Sequence, residues 1–141
     1  MYSRKYIPKS LSEEDKKKQK KQLDKSVADY KKGKFTGRKK LSSFQSKTSG
    51  YVKKVKEKLG VPMNITKIAD KLTRTDKRMK EVKKGLEEVM MKGKGAYYSS
   101  GSRPNQTAFS WGLGRVGSVL TGGPSRKIDK KIVDKYNLPK I

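Results

Sequence analysis

The apolar residues of this chain recur mainly at intervals of three and four, which is the period of amphipathic helices. This pattern predicts helices over residues 12–32, 51–59, 64–90 and 125–136. No segment alternates apolar and polar residues in the manner of a half-buried strand. We therefore expect a mainly α fold of short helices joined by long irregular and Gly-rich connections, with extended basic arms and no sheet core.

Residues that typically begin and end helices refine this prediction. Asn64 is suited to cap the helix that follows it, because its side chain can accept a hydrogen bond from the first turn. Gly93 is expected to end the helical stretch that precedes it. Pro104 is suited to the first turn of a further helix that runs toward Leu120.

Shifts in composition divide the chain into three predicted segments. Residues 1–60 form a basic arm with helices, and residues 61–93 form a helical hairpin that resembles a helix-turn-helix. Residues 94–141 contain a recognition loop rich in Gly and Tyr, followed by the C-terminal helices.

Charge changes the expected behaviour of these helices. The 141 residues include 38 Lys and Arg but 13 Asp and Glu, a formal charge of +25. Leu, Ile, Val and Phe together number 27, or 19%. Chains that combine so few large apolar residues with so large a net positive charge typically do not fold unaided. We therefore expect the chain to draw stability from a partner.

Several classes of chemistry have no residues to support them. Cys and His are absent, which excludes disulfides and removes the usual general base and the commonest zinc ligands. No apolar run approaches the length that crosses a bilayer, and the N-terminal residues lack the apolar region of a signal peptide. We expect no enzyme activity, no cofactor, no metal, no membrane span and no small-molecule substrate.

Basic residues are concentrated in the first segment, where 20 Lys and Arg accompany 6 acids. Such a run is often only a solvated helix face, but this excess favours contact with a polyanion or an acidic surface. The residues predicted to make that contact are Lys16, Lys17, Lys18, Lys20, Lys21, Arg38, Lys39 and Lys40.

Residues 112–117 match the G-x-G-x-x-G pattern of dinucleotide-binding loops. That interpretation requires a preceding buried strand, and residues 105–111 do not form one. The favoured alternative is a helix whose glycines permit close approach by a neighbouring backbone.

Residues 64–90 also fit two interpretations. In a helix-turn-helix, the second helix would enter the major groove of DNA. Its basic residues would be Arg74, Lys77, Arg78 and Lys80. Two amphipathic helices packed as a hairpin are far commoner, and we favour that alternative.

The most distinctive stretch is residues 93–107, here called the Gly/Tyr block. Its glycines permit unusual backbone angles, and its aromatic, amide and guanidinium groups are typical of contact surfaces. The alternative is an ordered turn that starts the next helix. The residues predicted to bind a partner are Tyr97, Tyr98, Ser99, Ser100, Arg103, Asn105, Gln106, Trp111 and Arg115.

Residues 6–12, 41–47 and above all 94–107 resemble a family of short basic proteins from nucleocytoplasmic large DNA viruses, including algal and giant viruses. That family has no assigned activity. The resemblance extends over nearly the whole chain to residues 120–123 and implies a viral origin.

Two functions remain open. The favoured one is a structural virion protein, a minor capsid or cementing component that binds other capsid proteins on the inner side of the shell. It would occupy the host cytoplasm during assembly. The alternative is a nucleic-acid-binding protein whose basic arms condense or organise the viral genome. A ribosome-like RNA-binding role is a weaker third, supported by charge alone.

Overall fold

A computed structural model of the chain describes residues 2, 4–45 and 49–141. The fold is mainly helical and the described residues include no strand, which confirms the predicted fold class. The helices are α1 (Glu13–Lys31), α2 (Gly50–Leu59), α3 (Ile65–Leu72), α4 (Asp76–Ser99), α5 (Ala108–Leu120), α6 (Pro124–Ile128) and α7 (Lys130–Tyr136).

The chain packs as two compact units, each assembled from two stretches of sequence. The first unit comprises Met1–Lys47 and Lys94–Trp111, and the second comprises Thr48–Gly93 and Gly112–Ile141. The units are defined by packing, whereas the three predicted segments are defined by composition. That threefold division stays a prediction.

Side-chain caps explain where the early helices begin. The Ser12 hydroxyl accepts a hydrogen bond from the Asp15 amide at 3.1 Å, which fixes the start of α1. The Asn64 side chain accepts from the Lys67 amide at 3.0 Å, so the predicted cap of α3 is confirmed.

Helix α4 does not end at Gly93 as predicted but continues to Ser99. A Cβ atom placed on Gly93 would lie 2.7 Å from the Cα atom of Gly112 in α5. The glycine therefore permits a close helix crossing and is not a stop. The helix ends just before Gly101, whose φ of +107° is readily adopted only by glycine.

The predicted start of the next helix at Pro104 is also wrong, because α5 begins at Ala108. Thr107 and Ser110 cap it reciprocally, each hydroxyl accepting a hydrogen bond from the other residue's amide. The predicted helix over residues 125–136 is two helices, α6 and α7, and Asp129 lies between them.

The second unit has a contiguous apolar core of twelve buried residues. Most of these residues occupy α4 and α5, and α2, α3, α7 and the C-terminal tail supply the others. They are Val55, Ile68, Ala69, Val82, Leu86, Val89, Met90, Val116, Val119, Leu120, Val133 and Leu138. The dependence of folding on a partner stays a prediction.

Two arginines fasten the C-terminal tail in this unit. The Arg126 guanidinium donates to the carbonyl of Val119 at 2.9 Å and to that of Leu138 at 2.8 Å. The Arg78 guanidinium donates to the Tyr136 carbonyl at 2.7 Å. Carbonyls at helix ends have no partner inside the helix, and these guanidinium groups supply one.

Candidate functional site

Residues 36–44, here called the strap, run through the first unit without forming a helix or a strand. Side chains of α1 and of the Gly/Tyr block satisfy many of its backbone groups. The Ser26 hydroxyl donates to the Thr36 carbonyl at 3.1 Å. The Gln22 amide accepts from the Lys39 N–H and donates to the Lys39 carbonyl. The strap thereby obtains from side chains the bonds that a sheet partner would otherwise provide.

Asn105 makes the most extensive of these contacts. Its Oδ1 accepts from the Leu41 amide at 2.7 Å, and its Nδ2 donates to the carbonyls of Leu41 at 3.3 Å and Phe44 at 2.9 Å. Asn105 has a φ of +60°, and asparagine tolerates this left-handed region better than most residues. The predicted binding residue is therefore engaged inside its own unit.

Asp15 holds the other end of the strap. Its Oδ2 accepts hydrogen bonds from both the amide and the hydroxyl of Ser43, and the Asp15 residue is 5% exposed. These two bonds hold the pKa of Asp15 below its ordinary value, and the bond from the Ser43 hydroxyl has the larger effect. The carboxylate thus helps to hold the strap against the start of α1.

Arg38 of the strap and the buried Tyr97 form a polar centre of the first unit. The Arg38 guanidinium donates to the Ser26 hydroxyl at 2.7 Å, the Tyr97 carbonyl at 2.8 Å and the Ser102 hydroxyl at 3.0 Å. Its central carbon lies 3.8 Å from the centroid of the Tyr97 ring. Burial lowers the pKa of Arg38 from its ordinary value, although the Tyr97 contacts oppose that shift.

Two predicted contact residues are therefore corrected. Tyr97 is 1% exposed and its hydroxyl donates to the Gln106 carbonyl at 3.2 Å, so its ring offers no surface to a partner. Arg38 is half-buried and its guanidinium is bonded within the unit, so it is not a free polyanion contact.

The other predicted partner-binding residues are divided between exposed and internal positions. Ser99, Ser100 and Arg103 are exposed, and Tyr98 is half-buried. The Gln106 side chain is bonded to the Ser110 hydroxyl at 2.7 Å. Partner binding by the exposed members stays a prediction.

Trp111 and Arg115 also have partners inside their own units. The Trp111 ring lies edge-on to Tyr6, with centroids 6.1 Å apart. In the second unit, Arg115 makes a bidentate ion pair with Asp129, both N–O distances being 2.7 Å. The Asp129 bond raises the pKa of Arg115, and Asp129 is 5% exposed. Arg115 therefore contributes to folding, and its predicted contact with a partner stays a prediction.

The predicted basic residues of α1 are exposed except for the half-buried Lys16, and three of them pair with acids of the same helix. Lys16 bonds Glu13 at 3.0 Å, and Lys18 lies 3.3 Å from Glu14. Lys20 bonds Asp24 at 2.9 Å. Lys17, Lys21, Lys39 and Lys40 are exposed, and the described residues place no carboxylate within 4.0 Å of their ammonium groups. Exposed helix pairs of this kind contribute little stability, so the charge remains available.

Asp24 also holds Tyr2 against α1. The Tyr2 hydroxyl donates to the Asp24 carboxylate at 2.7 Å. Burial is the larger cause and this hydrogen bond the second of a rise in the pKa of Tyr2 to about 12.

An aromatic cluster of Tyr30, Phe35 and Tyr98 was not anticipated as a group from the sequence. Phe35 is 72% exposed, and its ring centroid lies 5.2 Å from that of Tyr98 and 5.9 Å from that of Tyr30. The sequence offered one indication of this cluster, because the aromatic Phe35 follows directly after Gly33 and the lysines at positions 31, 32 and 34.

The G-x-G-x-x-G pattern lies inside α5, and no described residue forms the strand that a dinucleotide fold requires. A Cβ atom on Gly117 would lie 3.1 Å from the backbone carbonyl carbon of Tyr51, whereas one on Gly114 would meet nothing within 4 Å. The dinucleotide interpretation is wrong, and the close-packing alternative holds at Gly117.

The proposed DNA-reading helix is instead part of a core. Val82, Leu86 and Val89 of α4 are fully buried. Arg78 donates to the Tyr136 and Asn137 carbonyls at the end of α7. Arg74, Lys77 and Lys80 are exposed. This geometry fits the packed hairpin.

The second unit also contains an open basic groove of about 550 Å³. Its cationic lining comprises Lys92, Arg115, Lys127, Lys130 and Lys131, with Asp129, Asp134, Ile128 and Ile132 beside them. Arg115 is bound to Asp129 and Lys130 to Asp134, so the charge left over in this groove comes from Lys92, Lys127 and Lys131.

Searches against protein-family models, curated proteins and solved structures give no match to the chain. No helix in the described part of the chain is both long and apolar enough to cross a membrane. Function must therefore be inferred from the surfaces themselves.

Proposed function

We propose that the chain is a structural virion protein, a minor capsid or cementing component of a large double-stranded DNA virus. Its lysine-covered surfaces bind acidic faces of neighbouring capsid proteins on the inner side of the shell. The family resemblance of residues 94–107 supports the viral assignment, and the distribution of charge supports the mode of binding.

The observation that carries the proposal is a division of roles between arginine and lysine. Of the seven arginines, Arg38, Arg78, Arg115 and Arg126 are hydrogen-bonded inside their own units. Lysines of the described residues pair only with acids of the same helix, three or four residues away. Arginine at these four positions thus stabilises the fold, whereas the outward charge comes mainly from lysine, with Arg4, Arg74 and Arg103 also exposed.

Exposed lysines suit a broad acidic partner better than a small ligand. An ammonium group on a flexible stem is a strongly hydrated point charge without the fixed fork of a guanidinium group. Each contact is weak and screened by salt, so affinity requires many contacts over a large surface. A shell of capsid proteins offers such a surface.

The internal roles of the buried carboxylates support a function without catalysis. Asp15 accepts two bonds from Ser43, and Asp129 is occupied by Arg115. A general acid or base needs a carboxyl group that can reach a substrate, and these two are engaged in folding.

Zero-length carbodiimide coupling tests the proposal, because it joins a lysine amine to a carboxylate with which it is in contact. Applied to purified particles, it should link the exposed lysines of this chain to Asp and Glu of capsid proteins. Replacing Lys16, Lys17 and Lys18 by Gln should reduce retention of the protein during salt washes, and replacing them by Arg should preserve it. Absence of the protein from purified particles would refute the proposal.

Genome binding remains a second candidate, favoured by the charge of the first unit. That unit contains 18 Lys and Arg against 5 Asp and Glu. If it condenses duplex DNA, log affinity should fall with log salt by about 0.9 for each phosphate neutralised, without sequence preference. Ultraviolet cross-links to DNA in particles, with no carbodiimide links to protein, would support this candidate over the first.

A further inference from the structure

We propose that the first unit binds single-stranded nucleic acid by stacking an unpaired base on the exposed ring of Phe35. The site consists of the aromatic cluster and the lysines beside it. This inference goes beyond capsid binding and does not rest on it.

The cluster presents one ring and supports it with two others. Phe35 is 72% exposed, so its ring is available to a flat partner. The Tyr30 and Tyr98 rings are nearly parallel, at 8°, with centroids 6.1 Å apart, and Phe35 is tilted against both. One face of Phe35 thus has aromatic neighbours, and most of the ring remains accessible to solvent.

Hydrogen bonds on both sides hold Phe35 in place. The amides of Gly33 and Lys34 donate to the carbonyls of Tyr30 and Asp29, at 3.0 Å and 2.9 Å. On the other side, the Thr36 hydroxyl donates to the Asp29 carboxylate at 2.6 Å. Because the backbone around Phe35 is ordered before binding, only side-chain torsions remain to be restricted when a base stacks on the ring.

The layer beneath the cluster is also ordered. Tyr98 packs edge-on against the buried Tyr97 ring, with centroids 5.0 Å apart. The Arg38 guanidinium covers Tyr97 at 3.8 Å. Consecutive contacts from the buried centre to the exposed ring give the site a rigid base.

The charge around Phe35 suits a phosphate backbone. Lys31, Lys32 and Lys34 are exposed, and the described residues place no carboxylate within 4.0 Å of their ammonium groups. The nearby Asp29 carboxylate is occupied by the Thr36 hydroxyl. The carbonyls at the end of α1, which would repel an anion, are hydrogen-bonded to the amides that follow them.

These features favour nucleic acid over an acidic protein as the occupant. Proteins that bind single strands combine a positively charged track with aromatic faces, since every base has a face that can stack. An acidic protein would be attracted by the lysines but would use Phe35 as an apolar anchor. A leucine could replace such an anchor, whereas it cannot replace a stacking face.

Fluorescence anisotropy with labelled oligothymidylate of about ten nucleotides tests the proposal, because that length spans a typical single-strand site. Phe35→Ala and Phe35→Leu should each weaken binding about tenfold, the usual loss when one stacking aromatic is removed. Affinity for a duplex of the same length should not change, since its bases are already stacked. Phe109→Ala is the matched control and should bind like wild type, because that ring is 57% exposed in the same unit and pairs with no aromatic ring among the described residues.

The lysines provide an independent test of the same site. Replacing Lys31, Lys32 and Lys34 by Gln should reduce the slope of log affinity against log salt by about 2, as expected for three phosphates of a single strand. Phe35→Ala should leave that slope unchanged. Equal oligothymidylate affinity of wild type and Phe35→Ala, or full binding by Phe35→Leu, would overturn the proposal. The second outcome would show that an apolar side chain of either kind suffices at this position, so that no base stacks on the ring.

Discussion

Replacing Asn105 tests whether side chains from the Gly/Tyr block hold the strap. Asn105→Ala removes the acceptor for the Leu41 amide and the donor for the Leu41 and Phe44 carbonyls. Leu41 is 4% exposed, so its amide has little access to water as a replacement. Leaving a buried amide unpaired costs about 1–3 kcal/mol.

A second cost comes from the backbone of residue 105. Its φ of +60° is in the left-handed region, where alanine costs about 1–2 kcal/mol and glycine costs little. Asn105→Gly should therefore lose the hydrogen bonds and avoid this strain. We expect the alanine variant to be about 1 kcal/mol less stable than the glycine variant.

Amide hydrogen exchange at Leu41 measures this effect directly. A local loss of about 2 kcal/mol corresponds to a roughly 30-fold fall in protection. Asn105→Asp should have a smaller effect at the Leu41 amide, because it keeps the acceptor at 2.7 Å and loses only the two donated bonds. The amide of Val89, in the core of the second unit, is the internal control. If Leu41 exchanges equally fast in wild type and in all three variants, the strap is not held by Asn105.

Four further substitutions test other parts of the fold. In thermal unfolding followed by circular dichroism, Gly114→Ala should stabilise the second unit by about 0.5–1 kcal/mol, because the site is open and helical. Gly117→Ala should destabilise it by about 1–3 kcal/mol, because the added Cβ meets the α2 backbone at 3.1 Å. Arg38→Lys should cost about 1–3 kcal/mol in urea unfolding, because an ammonium group cannot reproduce the three guanidinium bonds. The hydrogen bonds from Ser43 lower the folded-state pKa of Asp15. The ionised Asp15 side chain therefore contributes its full share to folding stability above its ordinary pKa of 3.8, and this stabilisation is lost as the pH falls below that value. The stability gap between wild type and Asp15→Asn should therefore narrow as urea unfolding is repeated at lower pH.

The helices were predictable where local chemistry determines their ends. Ser12 and Asn64 accept hydrogen bonds from the first turn of α1 and α3, and Gly60 ends α2 with a φ of +65°. Such ends depend on residues close in sequence, so their pattern identifies them. The mainly α fold class follows from the same short-range periodicity.

Two of the mistaken boundaries, at Gly93 and at Asp129, involve contacts with distant parts of the chain. Gly93 continues α4 because a neighbouring helix backbone approaches it at Gly112, and a glycine stop and a glycine crossing look alike in sequence. Asp129 separates α6 from α7 and pairs with Arg115, fourteen residues away. Charge alone could not distinguish Arg115 and Arg38, which are bonded internally, from the exposed lysines.

Residues 38–44 of the strap and residues 102–105 of the Gly/Tyr block contact each other in the first unit. Asn105 binds the backbone of Leu41 and Phe44, and the Ser102 hydroxyl accepts from Arg38. Side-chain bonds to backbone groups require particular residues at particular positions, which explains how so distinctive a sequence can serve folding. The surface left for a partner is then smaller than the Gly/Tyr block itself. It consists of exposed Ser99, Ser100 and Arg103 and the rings around Phe35. Variants of the internal residues would test stability, and only variants of the exposed ones can test recognition.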